Sequence, residues 1–358
     1  MSVGSSGLIM TTATAILIAM IGTAQCDTPG NRALILNPYA SVVWDKVQTL
    51  HSFSHEHGRD PEVFWAMGFG HLPISNYYPS RPFYPLPDGF IKKHREALGA
   101  PLKPLLETLD FGPRVLGIEV WNQHEGFGGA EMRFYRLWDA ALRAGRPCLG
   151  FFVKDHVFFG RGRNVLLVAG SSTASRLERE HEALRAYREG RFFGLLGALR
   201  TDETGKPVLP YDKSNFRFTR IALKEGKGRH PDAIEVAVDG ADRDRRPNTQ
   251  IRFITDAGMA KVIDGQRGCF ELPRDPAGNI VCQYVRVEAF AYPSTHLNGR
   301  PLTAEAFTAM NVHEISRLHD RVGPFKMSKL DPSEQAPIPI VDMLFSQPIL
   351  LRSTHSAR

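Results

Sequence analysis

The fold is decided by the apolar run VLGIEVW at residues 115–121. Two further runs of this kind lie at residues 148–153 and 164–168. Continuous apolar runs of this length are typical of strands that are covered on both faces, as in parallel sheets. Amphipathic helical patterns alternate with them between residues 44 and 193. We therefore predict an α/β layer structure with parallel strands in the first half of the chain.

Two helices are predicted within this half. The first spans residues 131–144, where apolar residues recur every three or four positions, and Gly145 follows as its C-terminal cap. The second spans residues 174–189 and stops at Gly190. Its predicted buried face consists of Leu177, Leu184 and Tyr187.

The second half of the chain changes to alternation of apolar and polar residues. The clearest cases are residues 232–238, 250–255 and 284–290. Period-two alternation with turn residues between the runs predicts a small antiparallel β domain. A helical insertion is expected near residues 295–335, before a last strand near residues 348–351.

Composition bounds the class of protein. The chain has 358 residues, of which 42% are hydrophobic and 23% are charged, so a globular protein of about two domains is expected. Basic residues outnumber acidic ones by 44 to 38, which gives a formal net charge of +6. This mild excess favours a small anionic substrate, and no nucleic-acid partner is expected.

The N-terminus predicts export. Residues 1–26 carry no charged side chain, residues 8–21 are mostly apolar, and the small residues GTA follow at 22–24. This pattern predicts a signal peptide over residues 1–24 and a periplasmic or secreted mature protein. Lipid attachment at Cys26 is disfavoured because Gln25 stands where a small residue is needed. No later segment has the roughly 18 apolar residues of a membrane span.

Four cysteines are present, and two of them flank a turn. Cys269 and Cys282 lie on either side of the sequence DPAGN at residues 275–279, which favours a tight turn. A hairpin around this turn would place the two sulfurs opposite one another, and an oxidising compartment would allow a disulfide. Two free buried thiols are the alternative.

Histidine is concentrated in one region. Seven of the thirteen histidines lie between His51 and His156, and the densest stretch is HSFSHEH at residues 51–57. Alternate residues of an extended segment share a side, so His55 and His57 can offer two imidazoles to one metal ion. A histidine-rich surface loop is the alternative.

Several ordered motifs resemble the PHP family, the polymerase and histidinol phosphatase family of metal-dependent phosphoesterases. The opening motif is NPY at residues 37–39 followed by Trp44 and by HEH at residues 55–57. The later motifs are ISNYYPS at 74–80, LDFGPRVLGIEVWN at 109–122, WD at 138–139, VKDH at 153–156 and GRGRN at 160–164. The resemblance covers residues 37–194 and continues more weakly into the second half.

This resemblance implies a division of the chain and a fold. The signal peptide at residues 1–24 and a lead-in at residues 25–43 would precede a distorted (β/α) PHP-type barrel at residues 44–200. The small antiparallel β domain would follow at residues 201–358. In such α/β folds the ligands bind at the carboxyl ends of the strands.

The resemblance also implies a metal site. The candidate ligands carried over from the family are His55, His57, His94, Glu119, Asp155 and His156. Imidazole and carboxylate ligands suit zinc, manganese or iron, in one to three ions. Asn76 and Tyr77 stand where the family has an Asp-His pair, and His71 or His124 could compensate from nearby loops.

The function implied is that of an exported metal-dependent hydrolase in which a metal-bound hydroxide attacks a phosphoester. Asn76, Tyr77, Arg161 and Arg163 are the candidate substrate-binding residues, although the two arginines could equally be solvated residues beside a strand. Two alternatives stay open. The same scaffold could hydrolyse a carboxylic or carbamate ester, or it could be a non-catalytic binding protein with a degraded metal site.

Overall fold

The computed structural model describes residues 33–52, 102–109, 116–124, 134–155, 162–169, 175–197, 214–226, 231–295, 300–316, 318–320 and 338–353. The strands are β1 (Ala33–Leu36), β2 (Gln48–Ser52), β3 (Gly117–His124), β4 (Leu149–Asp155), β5 (Gly162–Val168), β6 (Phe192–Leu196), β7 (Arg217–Glu225), β8 (Pro231–Asp239), β9 (Asn248–Thr255), β10 (Gly258–Asp264), β11 (Arg267–Glu271), β12 (Tyr284–Tyr292), β13 (His319–Asp320), β14 (Ile338–Pro339), β15 (Asp342–Ser346) and β16 (Ile349–Ser353). The helices are α1 (Leu102–Leu109), α2 (Tyr135–Arg143), α3 (Arg176–Glu189), α4 (Ala304–Ala309) and α5 (Val312–Ser316).

A nine-stranded sheet forms the centre of the described structure. Its strands follow the order β10, β9, β12, β15, β6, β5 and β2, and β16 and β1 extend it beside β12. Every neighbouring pair in this sheet is antiparallel. The sheet therefore joins strands from both halves of the chain.

Strands β15 and β16 form one bent strand beside β12. The register of β12 with β15 differs by one residue from its register with β16, so the bend contains an extra residue. The hydroxyl of Tyr39 accepts the N–H of Gln347 at this bend, at 2.7 Å. On the other side, β15 pairs with β6 and β16 pairs with β1.

One face of the large sheet packs against a three-stranded antiparallel sheet of β7, β8 and β11. Alternation along β8 explains the packing: Ile234, Val236 and Val238 point into the shared core, whereas Glu235 lies on the other face. Together the two sheets make a β-sandwich.

The opposite face is covered by a mixed layer. The parallel pair β3 and β4 lies here together with α2, α4 and α5, and their apolar side chains share one core with Phe290 and Phe345 of the large sheet. Helix α3 contributes Ala183, Ala186 and Tyr187 to a smaller core with β4, β5 and β6.

Side-chain amides attach the free edge of β4 to the large sheet. The Gly150 N–H donates to Oε1 of Gln347, and the Gly150 carbonyl accepts from its Nε2, both at 2.8 Å. The Phe152 N–H donates to Oδ1 of Asn164 at 3.0 Å. Because both amides are fully buried, they satisfy backbone groups that no neighbouring strand reaches.

The expected (β/α) barrel is wrong. Strand residues outnumber helical residues by 47% to 20% in the part of the chain that the structure describes, and β3 with β4 is its only parallel pair. Strand β5, which was predicted to be parallel, is antiparallel to both of its neighbours. The apolar runs arise because layers cover the large sheet on both faces, and this burial does not depend on strand direction.

The strands and helices themselves were predicted better than their arrangement. Strands β8, β9 and β12 occupy the alternating segments, but β9 and β12 belong to the large sheet. Helix α3 ends at Gly190 as expected, with a φ of 71°. Its predicted face is wrong in part, since Leu177 is 64% exposed and Leu184 is 42% exposed.

The predicted disulfide is not formed, since Cys269 and Cys282 are free thiols. Cys269 lies on β11 and pairs with Glu235 of β8. The turn at residues 275–279 closes a shorter ladder, in which Arg274 faces Ile280 and the Val281 N–H donates to the Pro273 carbonyl. Continuing this register places Cys282 beside residue 272 rather than beside Cys269.

Candidate functional site

Four strand ends converge on one region. The last residue of β2, Ser52, is the Cα partner of Asn164 near the start of β5. The last residues of the parallel strands β3 and β4, His124 and Asp155, are Cα partners of each other. We refer to Ser52, His124, Asp155 and residues 162–164 as the strand-end cluster.

Strands β4 and β5 bring the two pairs together. A Cβ atom added to Gly162 would lie 2.8 Å from the carbonyl oxygen of Val153 and 2.5 Å from Cδ1 of Trp121. Contacts this close leave no room for a side chain, so glycine allows the start of β5 to approach the ends of β3 and β4.

Most of the predicted site residues lie outside the described residues. These are the candidate metal ligands His55, His57, His94 and His156 and the candidate substrate-binding residues Asn76, Tyr77 and Arg161. In the sequence, His55 follows the end of β2 by three residues, and His156 follows Asp155 directly. Among the described residues, no group of three or more His, Cys, Asp or Glu side chains is placed to hold a metal ion.

Glu119 lies inside β3 rather than at its end. It is the third residue of the strand, its Cα partner is Phe151, and it is 6% exposed. Asp155 lies four residues after Phe151, which is about 13 Å along a strand. The register thus brings His124, and not Glu119, next to Asp155.

Arg163 lies on the face of the large sheet that is opposite to β3 and β4. Its neighbours of the same parity on β5, Val165 and Leu167, pack against the three-stranded sheet, whereas Leu166 and Val168 pack toward α3 and β4. Arg163 is only 4% exposed. The alternation therefore separates Arg163 from β3 and β4.

His51 shares this face with Arg163. Burial, together with the positive charge of Arg163, lowers the pKa of His51 to about 3. The imidazole is therefore neutral in the folded protein at neutral pH, and its protonation opposes folding.

Acid should consequently destabilise the wild-type protein through His51. An unfolded histidine titrates near pH 6.5, so this stabilisation is complete above about pH 6.5 and is lost as the pH falls toward 3. We expect His51→Gln to reduce the loss by up to about 1.4 kcal/mol per pH unit within this window. Urea unfolding at a series of pH values measures it, with His181→Gln on the exposed side of α3 as the control. Equal slopes for His51→Gln and wild type would contradict the assignment.

A buried hydrogen-bonded chain connects the strand-end cluster with α3. The hydroxyl of Tyr187 donates to Oγ of Ser52 at 2.6 Å, and Nδ2 of Asn164 donates to the Tyr187 hydroxyl oxygen at 3.4 Å. Oδ1 of Asn164 accepts from β4, as described above. The chain thus connects α3, β2, β5 and β4.

A second buried polar group lies between α2 and β12. The Arg286 guanidinium binds both carboxylate oxygens of Asp139, at 2.9 and 3.0 Å, and it also donates to Glu288 at 2.5 Å. Tyr135 donates a hydrogen bond to Glu288 and Tyr284 donates one to Asp139. Burial alone would lower the pKa of Arg286. Its neighbours Asp139, Glu288 and Tyr135 outweigh this effect and raise that pKa well above its usual value. Arg286 is fully buried, and its bonds to Asp139 and Glu288 tie α2 to the large sheet.

Comparison with protein-family models, with curated proteins and with solved structures gave no significant match. Among the described residues, no helix is both long and apolar enough to cross a membrane. The predicted signal peptide lies outside the described residues, so export stays a prediction.

Proposed function

We propose that the chain is a metal-dependent hydrolase whose metal site lies at the strand-end cluster and whose substrates are phosphoesters. The observation that supports this is the convergence of the ends of β2, β3 and β4. Asp155 belongs to the cluster itself, His156 is the next residue, and His55 and His57 follow the end of β2 closely in the sequence.

The chemistry of these residues fits a divalent cation. Asp155 and His124, an acidic residue and a histidine, are Cα partners in the register of β3 and β4, and carboxylate with imidazole suits zinc, manganese or iron. A bound divalent cation supplies Lewis acidity and lowers the pKa of a bound water. The order of motifs that resembles the PHP family supports the same chemistry, although the described residues do not form the barrel that the resemblance implied.

The site can be tested by Asp155→Asn, His124→Ala and His55→Ala. Each change removes one proposed ligand, so we expect at least a fivefold loss of bound metal and a hundredfold loss of hydrolysis. Metal is measured by elemental analysis after dialysis. Hydrolysis is measured with p-nitrophenyl phosphate, bis(p-nitrophenyl) phosphate and p-nitrophenyl acetate, which separates phosphoester from carboxylic ester chemistry.

Matched controls are Asp244→Asn and His181→Ala, which change the same residue types at exposed positions. Both are expected to keep wild-type metal content and activity. Wild-type protein that retains no metal and hydrolyses none of the three substrates would refute the proposal. Retained metal without hydrolysis would instead favour a metal-binding protein.

A further inference from the structure

We infer that the Tyr187 hydroxyl is a positioning group for the proposed metal site, on which the inference rests. Tyr187 lies on α3 and contacts the strand-end cluster through its hydroxyl group. It acts through Ser52 and Asn164, which fix the end of β2 against the start of β5 and the side of β4.

The burial of these groups supports a positional role. Ser52 and Asn164 are fully buried and Tyr187 is 3% exposed, and their surroundings include the aromatic rings of Phe151 and Phe192. Polar groups in such a place must be hydrogen-bonded to avoid a large desolvation cost, and apolar residues of similar volume would stabilise the core equally well. A polar chain at this position therefore selects one arrangement of the strand ends.

The direction of each hydrogen bond makes the arrangement specific. The Tyr187 hydroxyl donates its one proton to Ser52, so its oxygen is available to accept from Asn164. The Asn164 amide is oriented because its oxygen accepts from the Phe152 N–H of β4. Removing the phenolic oxygen removes the hydrogen bonds of Tyr187 to Ser52 and Asn164 while the ring stays in place.

Tyr187→Phe removes this oxygen alone, and Tyr39→Phe is the matched control. The Tyr39 hydroxyl is equally buried and also makes two hydrogen bonds, to Phe192 and Gln347, but it lies at the bend between β15 and β16. We expect both variants to lower the melting temperature. Only Tyr187→Phe should weaken binding of Mn²⁺ or Zn²⁺ by about tenfold, measured by competition with a chromophoric chelator.

The visible absorption spectrum of bound Co²⁺ is a measurement that a change in stability alone does not alter. In Co²⁺-loaded protein, Tyr187→Phe should change the visible absorption bands of the metal, and Tyr39→Phe should leave them unchanged. Ser52→Ala removes the same Tyr187–Ser52 hydrogen bond from the side of β2 and should change the metal affinity and the spectrum in the same way. This variant therefore replaces Tyr187→Phe if that protein does not fold. The double variant should then weaken metal binding no further than either single variant.

The possible failures are distinguishable. If wild type binds metal and both Tyr187→Phe and Ser52→Ala bind it with unchanged affinity and spectrum, the positioning role is wrong and the metal site stands. If Tyr39→Phe weakens binding as much as Tyr187→Phe does, the effect reports stability and the inference also fails. Wild type that binds neither metal overturns the proposed function together with this inference.

Discussion

Arg286→Met is expected to lower the free energy of unfolding by about 3–5 kcal/mol, because it leaves buried carboxylates without their cation. Asp139 and Glu288 are 9% and 1% exposed, and both bind the Arg286 guanidinium. Methionine keeps an apolar chain between the rings of Tyr135 and Trp138, which lie 4.5 and 4.8 Å from the guanidinium carbon. The loss is therefore electrostatic rather than steric. Urea unfolding at pH 7 with an unchanged m-value measures it.

Two comparisons separate this explanation from a general sensitivity to arginine loss. Arg220→Met removes a half-exposed partner of Glu235, 3.4 Å away, and should cost less than about 1 kcal/mol. Combining Arg286→Met with Asp139→Asn should recover part of the stability, because one uncompensated charge disappears. A cost for Arg286→Met as small as that for Arg220→Met would show that the carboxylates are not held by this cation.

The local elements could be predicted because each depends on nearby residues. Helix α3 begins with a capping box, in which Ser175 accepts from the Glu178 N–H and the Glu178 side chain accepts from the Ser175 N–H. It ends at a left-handed Gly190, as predicted, whereas it begins at Arg176, two residues after the predicted start at residue 174. Strand β12 likewise follows its alternating segment.

The arrangement of these elements could not be predicted, because it depends on contacts between residues far apart in the chain. The side chain of Gln347 replaces a strand neighbour for Gly150, which lies 197 positions earlier. The burial of β5 on both faces has the same sequence signature in parallel and antiparallel sheets. The direction of β5 relative to its neighbours is set by its pairing with β2 and β6. The sequence pattern of β5 alone does not indicate this pairing.

The sequence proposes residue types for the candidate site but does not give their geometry. Asp155 was chosen by resemblance, and it lies where strands converge. Glu119 was expected at the end of a strand, but β3 continues for five more residues to His124. The length of β3 depends on its pairing with β4, so the residues of β3 alone do not fix it. Arg163 was a candidate substrate-binding residue, and only the alternation along β5, once its neighbours are known, shows that it lies on the face opposite to β3 and β4.

The close contact of Gly194 with Phe152 shows how tightly β4 is held on the large sheet. A Cβ atom at Gly194 would lie 1.9 Å from Cδ2 and 2.3 Å from Cγ of the Phe152 ring. The ring cannot turn away, because its other face stacks on Phe345 at 4.8 Å with an interplanar angle of 18°. An alanine here must push β4 away from the sheet.

Gly194→Ala should therefore lower the free energy of unfolding by about 3 kcal/mol, the upper part of the range for overpacked cores. Gly278→Ala is the control: that glycine has a φ of 86° with no atom near its missing Cβ, so only backbone strain of about 1 kcal/mol is expected. In a Phe152→Ala background the ring is gone, and Gly194→Ala should then cost almost nothing. Such coupling is measured by a double-mutant cycle in urea. Additive costs would mean that the Phe152 ring and Gly194 are not in contact.

Gly194→Ala should also weaken metal binding at the proposed site, because displacing β4 from the sheet moves the end of β4 that carries Asp155. Gly278→Ala should leave metal binding unchanged.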